Sequence, residues 1–158
     1  MFIRSLFPLL LLLLLGSPTP ALAAAPQPGG HEALAGLKTA RVVFDVRVAD
    51  LDKLTFNLKL IRETLAGMVA QGVQPETVVA FRGPGIGLLA ADELEDEEAL
   101  DLIRDLKKKE VRLEACAYAT RAFKADPADL TPEIALVVNV LNSVIGYQQK
   151  GYALVVLN

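Results

Sequence analysis

Histidine and cysteine are almost missing from this chain. Cys116 is the single thiol and His31 the single imidazole among 158 residues. One cysteine cannot close an internal disulfide, which excludes a stapled small-domain scaffold. One histidine and one cysteine far apart in sequence cannot assemble a metal site of the usual composition within one chain, and no metal is expected. A Cys–His pair of the thiol-protease kind is excluded as well, because His31 precedes the folded part. The acidic run Asp92 to Glu98 lacks the glycine and alternating ligands of a calcium loop and reads as a solvated helix start. Positive charge is scarce too: Lys and Arg number 16 against 19 Asp and Glu, for a formal net charge of −3. With no dense basic patch, nucleic-acid binding through a general field is excluded. There is no internal repeat.

The one long hydrophobic run is at the start. Leu6 to Leu15 is nearly pure leucine, broken by Phe7 and Pro8, and Pro18 and Pro20 lead into Ala21-Leu22-Ala23, a small-residue cleavage pattern. This reads as a secretory signal peptide. The run is about half of the ~20 residues that a bilayer span needs, so no stable membrane anchor is expected. No cysteine follows it to carry a lipid, and no twin arginine precedes it. Residues 1–23 are therefore expected to be a signal peptide, 24–39 a flexible Ala/Pro/Gly-rich tether, and 40–158 a single domain. Cleavage would leave roughly 135 residues, enough for one core. The expected location is periplasmic or extracellular, where a leftover cysteine is a free thiol, an intermolecular bridge or a buried inert residue.

Within the domain, apolar runs alternate with helical periodicity. Arg41 to Val46 (RVVFDV) reads as a first strand. Asp50 caps a long helix whose apolar positions Leu51, Leu54, Leu58, Ile61, Leu65 and Met68 form one stripe, ended by Gly72 and Pro75. Thr77 to Phe81 is a second strand, followed by the loop Arg82 to Gly87 (RGPGIG) and a short helix over Ile86 to Ala91. A helix over Asp92 to Lys109 follows, with an acidic start and a basic end that suit its dipole. Val111 to Ala115 is a third strand and Ala119 to Phe123 a short helix. Ile134 to Val138 reads as a fourth strand or a buried helix start, Val140 to Lys150 as the last helix and Tyr152 to Leu157 as a fifth strand. Strands alternating with helices, with no hairpin signal, imply an α/β fold. The expected form is three-layer α/β/α, with a mainly parallel five-stranded sheet covered on both faces.

Cys116 falls where the third strand ends and a helix begins, the place where open α/β sheets expose reactive groups. Helix N–H groups close by favour a thiolate there. Two readings are open: a nucleophilic thiol, or a small packed residue. The third strand alternates Val111, Leu113 and Ala115 with Arg112, Glu114 and Cys116, so its mixed face meets an edge, a groove or another subunit. Arg112 would lower the thiol pKa and Glu114 would raise it. Arg82, Gly83 and Gly85 belong to a loop that resembles phosphate-binding turns but fails their spacing, and Pro84 removes an amide that a phosphate needs. A tight turn beside Cys116 is the expectation. Tyr118, two residues from the sulfur, is a further candidate to line the site.

Four segments, in this order and spacing, carry a resemblance: RVVFDV, VVAFRGPGIGLL, KKKEVRLEACAYA and the closing QQKGYALVVL. Together they make the chain similar to the DsrE/DsrF-like family of small α/β sulfur-relay proteins, over about Ala40 to Asn158. Some members carry sulfane sulfur as a persulfide on a cysteine at the end of the third strand, and Cys116 matches that position. The resemblance implies a sulfur carrier or sulfurtransferase-like relay protein without cofactor or metal. It also implies a trimer or hexamer, with protein donors and acceptors of sulfur. Exported relatives tend to have a histidine before the Gly-Pro turn, where this chain has Arg82. The alternative function is a non-catalytic oligomeric or small-ligand-binding module with a buried cysteine. A third is a redox role with a disulfide across a subunit interface.

Overall fold

Five parallel strands in the order β4-β3-β2-β1-β5 organise the computed structural model. The structure describes residues 32–158 apart from position 96. The expected signal peptide and residues 24–31 of the expected tether, with His31, lie outside the described residues. The strands are β1 (Thr39–Val46), β2 (Gln74–Phe81), β3 (Arg112–Cys116), β4 (Ala135–Val137) and β5 (Ala153–Leu157). The helices are α1 (Leu51–Ala70), α2 (Glu97–Lys108), α3 (Ala117–Ala122) and α4 (Val140–Gln149). Thr39, the last tether position by sequence, is already the first residue of β1, behind a single 3₁₀ turn at Glu32–Leu34. The segment Ile134 to Val138 resolves as the short strand β4 rather than a helix start. The helix expected over Asp92 to Lys109 is divided into a 3₁₀ turn, Glu93–Glu95, and α2.

The sheet grows from β1 through β2 and β3 to β4 in one direction, and then the chain returns across it to place β5 on the far side of β1. Right-handed crossovers that advance one way put their helices on one face, and a crossover that reverses puts its helix on the other. Accordingly α1 and α2 pack together, while α4 lies against β1, β2, β3 and β5. Register pairs such as Phe44 with Val79 and Val79 with Leu113 turn their side chains to the α1–α2 face. There they meet Leu54, Leu58, Ile61 and Leu65 in a continuous buried core. Each such side chain, fully buried, contributes about 1.5–3 kcal/mol.

The other face is covered less completely. α4 buries Val140 and Val144 but leaves Leu141 and Ile145 exposed, and on this face the edge strand β5 exposes Leu154 and Val156. The mixed face of β3 is turned toward α4. β3 itself is one strand in from the edge, beside the three-residue β4.

The three long helices end alike. After α1, the amide of Val73 reaches the carbonyl of Met68 and that of Gly72 reaches Val69. The same pair of bonds joins Val111 to Leu106 and Glu110 to Lys107 after α2, and Tyr152 to Tyr147 and Gly151 to Gln148 after α4. This Schellman closure needs a left-handed residue, which Gly72 (φ 76°) and Gly151 (φ 84°) supply without strain. At the third site the position is held by Glu110 with φ 63°. A left-handed residue with a Cβ costs roughly 1–2 kcal/mol. Glu110→Gly is therefore expected to raise unfolding free energy by about 1 kcal/mol. Urea titration checks this, and an unchanged or lower midpoint counts against the strain.

Candidate functional site at the carboxyl edge of the sheet

The carboxyl ends of β2, β3 and β4 enclose a cleft of about 480 Å³. Phe81 and Ala115 are register partners on β2 and β3, so Arg82 and Cys116 each lie one step beyond that pair, on adjacent strands and the same face. Arg82 extends the ladder through its amide, which donates to the Val46 carbonyl at 3.1 Å. Gly83 then turns with φ 85°, and Pro84 opens a 3₁₀ segment, Pro84–Leu89, that carries the chain away.

Cys116 lies at the floor of the cleft with only 3% of its surface exposed. It is the N-cap residue of the six-residue α3, and its side chain makes no capping hydrogen bond. The atom facing its sulfur is Oδ1 of Asn139, at 4.0 Å. Asn139 is itself fixed, because the same oxygen accepts the Leu141 amide at 2.9 Å and caps α4. Tyr118, Phe123 and Leu141 form an exposed apolar rim around the opening.

Arg82 supplies the positive charge in this cleft. Its Nε and Nη2 donate to Oδ1 and Oδ2 of Asp45, both at 2.8 Å, a two-point fork. Asp45 is 4% exposed, whereas about a quarter of the Arg82 side chain reaches solvent. Arg47 approaches the same carboxylate at 3.7 Å. The fork occupies two of the five guanidinium N–H donors and leaves three that Asp45 does not use. Sequence reasoning missed Asp45, although a lone acid inside the apolar run RVVFDV marks a buried charge in need of a partner. It also missed Asn139, whose signal is an N-cap residue directly before an apolar helix.

Two expected lining residues lie elsewhere. Arg112 begins β3, four positions and roughly 13 Å along the strand from Cys116. It lines a separate cleft at the amino edge, so it is not placed to act on the sulfur. Gly85 is packed beneath the loop, where a Cβ would come within 2.0 Å of the Val48 carbonyl oxygen. Its role is close backbone approach, and it lines a small void under the loop instead of the Cys116 cleft. Arg82, Gly83 and Tyr118 do share the cleft with Cys116.

Below Cys116 on the same face, Glu114 is buried, with Oε1 accepting the Tyr147 hydroxyl at 2.7 Å. Its Oε2 has no hydrogen-bond partner. Burial pushes the Tyr147 phenol above its usual range, and the bond to Glu114 adds to this, while the neighbouring Arg112 works against it. Arg112 in turn is raised chiefly by its hydrogen bond to Tyr147. Among the described residues, no group of three or more His, Cys, Asp or Glu side chains could hold a metal ion. No helix among them is long and apolar enough to cross a membrane.

The family model described as DsrE/DsrF-like matches residues 30–157. Among solved structures, the chain is similar to MTH1491, a protein of unknown function from Methanobacterium thermoautotrophicum. The TM-score is 0.61 at 22% identity, over 74% of this chain and 98% of that one. That likeness shows the α/β fold with its five-stranded parallel sheet. No curated protein matches the chain.

Burial of the Tyr147 phenol, together with its bond to Glu114, carries a pH dependence of definite sign. A phenol raised in the folded state adds stability that is complete below its unfolded pKa, near 10, and is lost as pH rises through the folded value. Unfolding free energy is expected to fall above about pH 10. Tyr147→Phe should remove that component and cost about 1–3 kcal/mol at neutral pH by leaving Glu114 unpaired. Denaturant titrations at pH 7 and pH 10.5 check both effects.

Proposed function

The chain belongs to the DsrE/DsrF-like family, and on that footing we propose that it is an exported sulfur carrier that holds sulfane sulfur on Cys116. The observation that carries this reading is the pairing of one buried thiol with one clamped guanidinium in a single cleft at the sheet's carboxyl edge. In loading, the Cys116 thiolate attacks the outer sulfur of a donor persulfide. The donor S–S bond breaks, its electron pair leaves on the donor thiolate, and a Cys116 persulfide anion remains. In unloading, an acceptor thiolate attacks that outer sulfur and the Cys116 thiolate is restored. The steps balance without an external oxidant or reductant.

Each neighbour has a role in this chemistry. Arg82 and Arg47 share the single carboxylate of Asp45, and the net positive charge of this trio offsets the negative charge of the thiolate and the persulfide. The apolar rim of Tyr118, Phe123 and Leu141 limits the approach of soluble reductants and gives a donor or acceptor protein a surface to meet. The amino-terminal pattern supports export to a periplasm or the exterior, and the chain then works as a carrier between partners. A second reading, a non-catalytic module, is favoured by the 3% exposure of Cys116. The same burial disfavours a resting disulfide across a subunit interface.

Homo-oligomerisation, as a trimer or hexamer, belongs to the proposal. Proteins of this family commonly oligomerise. Val138, Leu141 and Ile145 are exposed around α4, and Leu154 and Val156 are exposed on the sheet face that α4 covers. This apolar surface fits a second copy of the chain.

Intact-mass analysis after exposure to a sulfane-sulfur donor tests the carrier. The wild type is expected to gain the mass of one or more sulfur atoms, released by a mild thiol, and Cys116→Ser none. Arg82→Gln should load about tenfold more slowly, equivalent to about 1.4 kcal/mol of lost charge stabilisation. A wild type without an adduct, whose thiol reacts only on unfolding, would support the non-catalytic module. For assembly, analytical ultracentrifugation should find an oligomer that Ile145→Asp dissociates. A monomeric wild type removes the assembly claim.

A further inference from the structure

The opposite end of the sheet carries a second concavity that the cysteine chemistry does not use. Residues of the last turns of α1, Leu65, Ala66, Val69 and Ala70, together with Val111, wall a groove of about 540 Å³. Its walls are apolar, and its volume falls within the ~300–1,000 Å³ of small-molecule sites. A smaller polar cleft of about 210 Å³ adjoins it, because Gln74, Pro75, Thr77 and Lys109 line both. The two form one amphipathic recess at the amino edge. Thr77 stands at the junction, 7% exposed, and its Oγ1 has no hydrogen-bond partner. A buried hydroxyl without a partner costs free energy unless something bonds to it.

The charges at the polar end cancel. Lys109 is paired with Asp105 at 2.5 Å, and Glu76 with Arg41 at 2.9 Å. Arg112 and Glu110, which line the same cleft, have opposite signs. Tyr152 points its hydroxyl toward Glu76 at 3.5 Å. A ligand with a net charge would face a balanced rim and lose its hydration for no matching counter-charge. An apolar body with one uncharged hydrogen-bonding group would fill the groove and satisfy the Thr77 hydroxyl.

We propose that this amino-edge recess is a binding site for an uncharged amphiphile, on the order of ten carbons long, with a hydroxyl or carbonyl head bonded to Thr77. Its tail lies against Leu65, Val69 and Val111, and its head reaches the junction between Thr77 and Lys109. The site is independent of Cys116, which opens at the other edge of the sheet.

Calorimetric titration and NMR of the purified protein with decanol, decanoate and decylamine test the proposal. Decanol is expected to bind once per chain and to shift the Thr77 and Val111 resonances, with the two charged analogues at least tenfold weaker. Thr77→Val should weaken decanol at least fivefold while keeping or raising the thermal midpoint of the unliganded protein, since it removes an unpaired buried hydroxyl. Ala66→Phe, at an exposed position, should fill the groove and abolish binding, whereas Cys116→Ser should leave it unchanged. Four outcomes would overturn the site. These are no saturable decanol binding, equal affinity for all three head groups, undiminished affinity in Thr77→Val, and an oligomer that Ala66→Phe dissociates without any decanol bound. The last would mean that a second copy covers the recess.

Discussion

A carboxylate buried in the middle of a parallel sheet must find a cation, and the fork between Asp45 and Arg82 is how this fold meets that demand. Asp45 belongs to β1, the strand between β2 and β5, and it is nearly closed to solvent. Arg82 follows directly on β2, so the pair ties the carboxyl ends of two adjacent strands together through side chains as well as through the ladder. The geometry has a directional consequence. A guanidinium held at two points cannot swing away, and Arg82 stays among the residues that line the cleft with Cys116. The same contact that satisfies a buried charge thus orients the positive charge of the candidate site.

The uneven cover of the sheet follows from chain direction. Strands added steadily from β1 to β4 place α1 and α2 on one face, and a single reversal leaves the other face to α4 alone. A ten-residue helix is too short to shield five strands, so β5 and the outer side of α4 remain apolar and exposed. The reversal also brings the start of α4 to the carboxyl edge, where Asn139 meets the Cys116 sulfur. One topological event therefore supplies both an open apolar face and a wall of the cleft. The amino edge, where helices end and strands begin, keeps the separate recess around Thr77.

Much of the secondary structure was legible because local signals agreed. Asp50 caps α1 as its position before the apolar stripe implied, and Gly72 ends it with a positive φ. β1 and β2 begin earlier than the apolar runs suggested, β3 is shifted one residue later, and β4 and β5 are shorter than their runs. Pro75, expected as a barrier after the helix, sits inside β2 near its start, and Cys116 closes β3 rather than following it. The acidic run before α2 read as one helix because charge pattern alone does not register a kink. Arg112 was placed beside Cys116 by alternation, which reports a shared face but carries no distance along the strand.

Local pattern along the chain is enough to set the alternation of strand and helix, the parallel sheet, and the position of one thiol at a strand end. Those are local or nearest-neighbour properties, set by periodicity, caps and the absence of hairpin turns. It takes the folded chain for Asp45 to clamp Arg82, for Asn139 to face the sulfur, and for Tyr147 to bond Glu114. The partners in these contacts are separated by 37, 23 and 33 positions. Contacts of that range depend on strand order and on the face to which each helix returns, and no local pattern encodes either.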